Sequence, residues 1–159
     1  MRRAGRVSGA LASLLLAGCL SDRDVRPGLA AYDVDSTGVA LHGYSPVSYF
    51  EDGRAERGAP GVQRTWRGIT YRFTDEDQAR RFDADPARYE PAFGGWCAYG
   101  ISLGIRWDPD PEAFEIVGGR LLLFSRNGQA DARELWNREN DPKALLQRSD
   151  HYWGTLVSD

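Results

Sequence analysis

The sequence predicts an α+β fold, a small antiparallel sheet of two hairpins with helices packed on one face. Two observations carry this prediction. Two segments alternate apolar and polar residues on either side of a tight turn, and each is followed by a pattern typical of a helix start. The chain has 159 residues, of which 11% are aromatic and 27% charged. This length suits one domain, and the aromatic content supplies a core that disordered chains lack.

The two predicted hairpins cover residues 62–73 and 113–124. The first turns at Arg67-Gly68 and the second at Gly118-Gly119, a dipeptide suited to a two-residue turn with positive φ. The junctions at which the hairpins end lie 51 residues apart. We therefore predict a β-β-α unit used twice, with chance similarity between two hairpin-helix junctions as the alternative.

Helices are predicted after both hairpins. Thr74 and Asp77 resemble a variant capping box, and Pro86 limits the helix that they open. Further helices are predicted over residues 129–140 and 143–153. The sequence thus places two short sheet segments and at least three helices in one domain.

The N-terminus has the layout of a secretory signal peptide. Three arginines precede an apolar stretch that is too short to span a bilayer. Leu16-Ala17-Gly18-Cys19 resembles the lipobox of bacterial lipoproteins, in which the cysteine carries a diacylglycerol. We predict a lipoprotein signal peptide over residues 1–18, lipidated Cys19 with a tether over residues 19–37, and the domain over residues 38–159. A cleaved ordinary signal and a buried N-terminal segment are the alternatives.

The predicted location is the bacterial cell envelope, with the domain lipid-anchored to the membrane and facing the periplasm. Three arginines would leave with the signal peptide, so the formal net charge would change from −3 to −6. Nucleic-acid phosphates repel an acidic domain, so we expect no nucleic-acid partner. The cleavage would leave Cys97, His42 and His151 as the thiol and imidazole groups for metal chemistry.

Several segments together resemble the YHS-domain proteins, in the lipoprotein or secreted branch related to TRASH-like metal-binding domains. The resemblance covers residues 38 to about 155. Its motifs are Gly43-Tyr44-Ser45-Pro46-Val47-Ser48-Tyr49-Phe50, Gly68-Ile69-Thr70-Tyr71-Arg72-Phe73, Arg81-Phe82-Asp83-Ala84-Asp85-Pro86-Ala87-Arg88-Tyr89 and Gly94-Gly95-Trp96-Cys97-Ala98.

The resemblance implies a binding module, and it puts the metal site of the broader group in doubt. Members linked to copper and heavy metals carry cysteines at the positions that hold Ser48, Thr74 and Gln78 here. Thiolates bind soft metals because they are polarisable anions, and a hydroxyl or a neutral amide does not replace them. Metal binding therefore does not carry over through these three positions.

The least generic segments predict a ligand-binding surface. We expect a non-catalytic module that binds a metal ion, a small ligand or an envelope protein. One alternative is a copper or zinc site that uses Cys97 and His42 as ligands. Another is a thiol enzyme with Cys97, near a predicted helix start, as its nucleophile. Both residues have structural alternatives, a buried thiol and a satisfied histidine. The predicted surface comprises His42, Tyr44, Tyr49, Trp96, Cys97 and Tyr99.

Two acidic segments are weaker candidates for cation binding. Residues 33–38 begin like a calcium loop, but the twelfth position is Tyr44, where a bidentate Glu is required. Residues 108–112 form a proline-stiffened acidic loop that we interpret as a solvated turn, with weak cation binding as the alternative. The sequence also lacks a haem-attachment motif, a phosphate-binding glycine loop and a serine-nucleophile elbow.

Overall fold

The computed structural model describes residues 31–128 and 130–158, and it confirms the α+β class. The predicted signal peptide and Cys19 lie outside these residues. Within the described ranges, no helix has the length and apolar character needed to cross a membrane. The helices are α1 (Pro46–Glu51), α2 (Glu76–Ala84), α3 (Pro86–Tyr89), α4 (Ala98–Ser102), α5 (Ala132–Arg138) and α6 (Pro142–Ser158). The strands are β1 (Ala59–Trp66), β2 (Ile69–Phe73), β3 (Asp110–Val117), β4 (Arg120–Phe124), β5 (Arg126–Asn127) and β6 (Ala130–Asp131).

Both predicted hairpins are present as antiparallel pairs, β1 with β2 and β3 with β4, and each forms its own two-stranded sheet. In β2 alternate side chains are buried, because successive residues of a strand point to opposite faces. In β1 the register shifts between Ala59 and Gln63, and in β3 it shifts between Asp110 and Phe114. The two ladders therefore share strand lengths, turn length and the position of the irregularity.

The equivalence extends to the segments that precede each hairpin. Helix α1 and helix α4 follow the N-cap residues Ser45 and Cys97. The backbone N–H of Ser45 donates to the Glu56 carbonyl, and that of Cys97 donates to the Trp107 carbonyl. The repeated unit is thus longer than the predicted β-β-α and begins with a turn and a short helix.

A left-handed turn opens each unit. Across Leu41–Gly43 the φ angles are 56°, 51° and 81°, and across residues 93–95 they are 56°, 61° and 93°. In this comparison His42 occupies the central position that Gly94 occupies in the second unit. Only glycine adopts such backbone angles without a steric cost, so His42 is held in a conformation that its side chain disfavours.

The predicted helices form, with differences at their ends. Asp75, and not Thr74, is the N-cap of α2, because its side chain accepts the Gln78 N–H at 2.9 Å. Similarly, Asp131 caps α5, so that helix begins at Ala132 instead of at residue 129. Helix α6 continues to Ser158, beyond the predicted end at residue 153.

Two apolar clusters form the core, and β4 contributes side chains to both. The first packs β2 side chains such as Tyr71 and Phe73 against Phe82 of α2. The second packs Phe124 of β4 against Trp136 of α5. Tyr32 and Val34, near the end of the predicted tether, pack against the first cluster, and Ala31 and Asp33 are both 7% exposed, whereas residues 35–37 are exposed.

Candidate functional site

A cleft of about 740 Å³ lies at the start of the second hairpin. Small-molecule sites commonly have volumes of about 300–1,000 Å³ and combine apolar walls with a few polar groups. This cleft has that character, since proline, alanine, tryptophan and leucine side chains alternate with charged ones. Its lining residues are His42, Arg106, Trp107, Asp108, Pro109, Asp110, Pro111, Ser125, Arg126, Asn127, Ala130, Ala132 and Leu135.

His42 stands at the cleft between two carboxylates. Its Nε2 is 3.4 Å from Asp33 Oδ2 and 3.3 Å from Asp108 Oδ1. Asp33 is the main influence that raises the pKa of His42 above its ordinary value, because a nearby acceptor favours the imidazolium. Burial opposes this effect, and the negative charge of Asp108 adds to it.

The two carboxylates differ greatly in exposure. The Asp33 side chain is 10% exposed, whereas that of Asp108 is 77% exposed. Asp33 Oδ2 is buried and pairs with His42 Nε2 at 3.4 Å without making a hydrogen bond. The cluster thus has one ligand atom in the interior and one in solvent, with the imidazole between them.

Hydrogen bonds hold the backbone of both acidic residues. The N–H of Asp33 donates to the Gly94 carbonyl at 2.9 Å, which joins residue 33 to the left-handed turn of the second unit. The Ser125 hydroxyl donates to the Asp108 carbonyl at 2.6 Å. The cluster therefore brings Asp108 to a single N-terminal segment that carries both Asp33 and His42, and that the Val34–Ala40 bridge closes.

Of the six predicted site residues, His42 lines the cleft and three others contact its lining from behind. The Tyr49 hydroxyl, whose pKa burial raises, donates to the Pro111 carbonyl at 2.9 Å. The Tyr99 ring lies 6.3 Å from that of Trp107, and the Cys97 N–H donates to the Trp107 carbonyl. These three residues contact the residues that line the cleft and do not line it themselves.

Tyr44 and Trp96 make their polar contacts elsewhere. The Tyr44 hydroxyl donates to Glu112 at 3.3 Å, and the Arg57 guanidinium covers its ring. The indole N–H of Trp96 donates to the Ala31 carbonyl at 2.8 Å. The structure therefore does not bring the six residues together on one surface.

Cys97 is 0% exposed and belongs to the second apolar cluster. Its sulfur accepts the Gly100 N–H at 3.4 Å and caps α4. Among the described residues, the group of metal-ligating side chains around His42 is completed by Asp33 and Asp108, without Cys97.

The sequence reasoning missed Asp33 and Asp108 as partners of His42. Both belong to acidic segments that it considered separately, and neither segment has a recognisable cation-binding pattern alone. The feature that marks His42 as unusual is its positive φ, which the structure shows and the sequence does not.

Comparisons with known proteins return no match, whether to family models, to curated proteins or to solved structures.

Proposed function

We propose that this chain is a membrane-tethered periplasmic binding module of the YHS type, and that its ligand binds in the cleft beside His42. The observation that carries the proposal is the cleft itself, which is lined by apolar side chains and by a strained histidine that pairs with the buried carboxylate of Asp33. Polar groups arranged in this way inside a concave apolar surface are typical of binding sites. The proposed role is binding without catalysis.

The local surroundings of three residues support the YHS resemblance. If Ser48, Thr74 and Gln78 occupy former ligand positions, they are expected to lie close together. The Ser48 hydroxyl donates to the Ser45 carbonyl, and the Ser45 hydroxyl donates to Gln78 Oε1. Gln78 Oε1 also accepts the Thr74 N–H at 3.3 Å. A hydrogen-bonded network thus links these positions and supports a loss of the family's thiolate site.

Cys97 is a weaker candidate for the functional group than the cleft. A nucleophilic or metal-binding thiolate needs a partly exposed, electropositive environment. The Cys97 side chain is fully buried and its sulfur is engaged as a helix cap. We therefore place the binding site at His42 and assign Cys97 to the packing behind it.

Ligand binding in the cleft can be tested with Trp107 as a reporter. The full chain contains five tryptophans, so 5-fluorotryptophan labelling is expected to give a small set of ¹⁹F resonances. A Trp107→Phe variant assigns the resonance of the cleft residue. A panel of small organic acids, amines and aromatic compounds, added in the presence of EDTA, should then contain members that shift this resonance selectively.

The result that contradicts the proposal is a panel whose binding members shift other tryptophan resonances and leave that of Trp107 in place. Trp66 provides the matched control, because it lies on β1, away from the cleft lining. Membrane anchoring is tested separately by fractionating cells that express the full chain or its Cys19→Ser variant. The wild type is expected in the membrane fraction, and a variant that remains there would contradict lipid attachment at Cys19.

A further inference from the structure

We propose that Asp33, His42 and Asp108 form a binding site for a divalent transition-metal ion of the zinc class. The inference rests on the proposed function in its use of the cleft, and it names the ligand chemistry of one wall. The three ligand atoms lie within 4.8 Å of one another. One atom is an imidazole nitrogen and two are carboxylate oxygens.

The spacing of these atoms suits a shared metal ion better than direct hydrogen bonds. The two N···O separations are 3.4 and 3.3 Å, longer than a good charged hydrogen bond. Ligand atoms bonded to a tetrahedral zinc ion at about 2.1 Å lie about 3.4 Å apart. The observed distances therefore match those between ligands that share one ion.

The buried oxygen of Asp33 is an independent indication of a missing partner. Asp33 is 7% exposed, and its Oδ2 has no hydrogen-bond partner. A buried acceptor without a hydrogen bond destabilises the fold, and more so when it is charged. The same Oδ2 faces His42 Nε2, so a cation placed between them would satisfy both atoms.

Charge and ligand type define the class of ion. Two carboxylates and a neutral imidazole together carry the charge that compensates a divalent cation. An imidazole ligand favours zinc and its neighbours over calcium and magnesium, which prefer sets of oxygen ligands. The set has no thiolate, so it does not favour copper(I).

The chain holds the three ligands in place and leaves the ion accessible. Hydrogen bonds hold the backbone at Asp33 and Asp108, and the left-handed turn positions His42. His42 and Asp108 both line the cleft, so an ion bound to them is reached from it. A zinc ion with three protein ligands keeps a coordination position for water or for a ligand.

The site is tested by zinc titration of the full, untagged chain, purified in mild detergent, stripped with chelator and followed by calorimetry. Wild type is expected to bind one zinc ion at this site with a dissociation constant of about micromolar or tighter. His42→Ala, Asp33→Asn and Asp108→Asn are each expected to weaken binding about tenfold or more, since even outer-shell changes have effects of that size. Calcium in excess is expected not to compete.

Matched controls separate the site from other zinc-binding groups of the chain. His151→Ala removes the other histidine, and Glu112→Gln neutralises an exposed carboxylate of the same acidic segment as Asp108; both are expected to retain wild-type affinity. Cys97→Ala tests the alternative pairing of Cys97 with His42. Because the Asp108 side chain is 77% exposed, Asp108→Asn is expected to fold normally, which circular dichroism checks.

Zinc affinity that is undetectable in wild type, or unchanged by His42→Ala and Asp108→Asn, overturns the inference and leaves an ion-pair cluster of His42 with two carboxylates. Loss of binding in Cys97→Ala with retention in Asp108→Asn also overturns it, as does displacement by calcium. The outcome is distinct from that of the proposed function. If organic compounds shift the Trp107 resonance and the chain binds no zinc, only the metal site is refuted. If the chain binds zinc and no organic compound shifts that resonance, only the proposed binding of a small ligand in the cleft is refuted.

Discussion

Replacing His42 with glycine is expected to give a more stable protein than replacing it with alanine. Both substitutions remove the imidazole, its contacts with the two carboxylates and any role in metal binding. They differ only in the Cβ atom that remains on a backbone with φ of 51° and ψ of 26°. Their difference in stability therefore isolates the conformational cost of this turn.

The magnitude follows from two opposing effects. A residue with a Cβ in the left-handed region costs roughly 1–2 kcal/mol. A glycine residue instead loses more conformational entropy on folding, which makes the glycine variant less stable than the alanine variant by about 0.4–1 kcal/mol. The difference leaves His42→Gly more stable than His42→Ala by about 1 kcal/mol.

The assay is urea unfolding followed by tryptophan fluorescence, with chelator present so that metal binding does not contribute. His151 supplies the control, because it lies inside α6 and has helical neighbours on both sides. There the order is expected to reverse, with His151→Gly less stable than His151→Ala by about 1 kcal/mol. If His42→Ala is as stable as His42→Gly, the left-handed turn is wrong and the argument from strain fails.

Three further predictions concern the turn, the thiol and the histidine. Gly94→Ala is expected to destabilise the protein by about 2–4 kcal/mol in urea unfolding, because it adds the left-handed cost to a clash. The added Cβ would lie 2.8 Å from the Trp153 ring, whereas at Gly118, which also has positive φ, it meets nothing within 4 Å. A Gly94→Ala cost equal to that of Gly118→Ala would show that the clash is absent. Cys97 is expected to react with a thiol reagent at least about 1,000-fold more slowly in the native chain than in urea, since labelling of a buried thiol requires unfolding. Cys97→Ser measures the contribution of Cys19, and fast native labelling would contradict the assigned burial. In chelator, the His42 pKa measured by NMR is expected above 6.5 and should fall in Asp33→Asn, because Asp33 is the main cause of the increase. The raised pKa stabilises the fold fully below the unfolded value of about 6.5, and this stabilisation is lost as pH rises through the folded pKa. A wild-type advantage over Asp33→Asn that grows with pH across this window would contradict the assignment.

The sequence alone determined the class of the fold and the location of its hairpins. Alternating apolar residues in 69–73 predict a strand because a strand buries every second side chain, whereas the continuous apolar run 121–124 is buried on both faces of β4. The turn at Gly118-Gly119 follows from the positive φ that glycine permits. These features depend on neighbours along the chain, which is why periodicity and turn residues predict them. The helix ends were predicted less well, because several acidic residues near α2 could serve as its cap.

Only the tertiary structure decided the candidate site. Asp33 and His42 flank one bridged segment and Asp108 lies in a distant loop, and none of the three has a motif that identifies a partner in the others. Their meeting depends on the Asp33 bond to Gly94, the Ser125 bond to Asp108 and the left-handed turn at His42. Tertiary packing also buries Cys97, for which the sequence left open a metal-ligand, a nucleophilic and a structural role. Local patterns determine which segments become strands and helices, whereas the convergence of loops depends on how those elements pack, a property of contacts between residues that are distant along the chain.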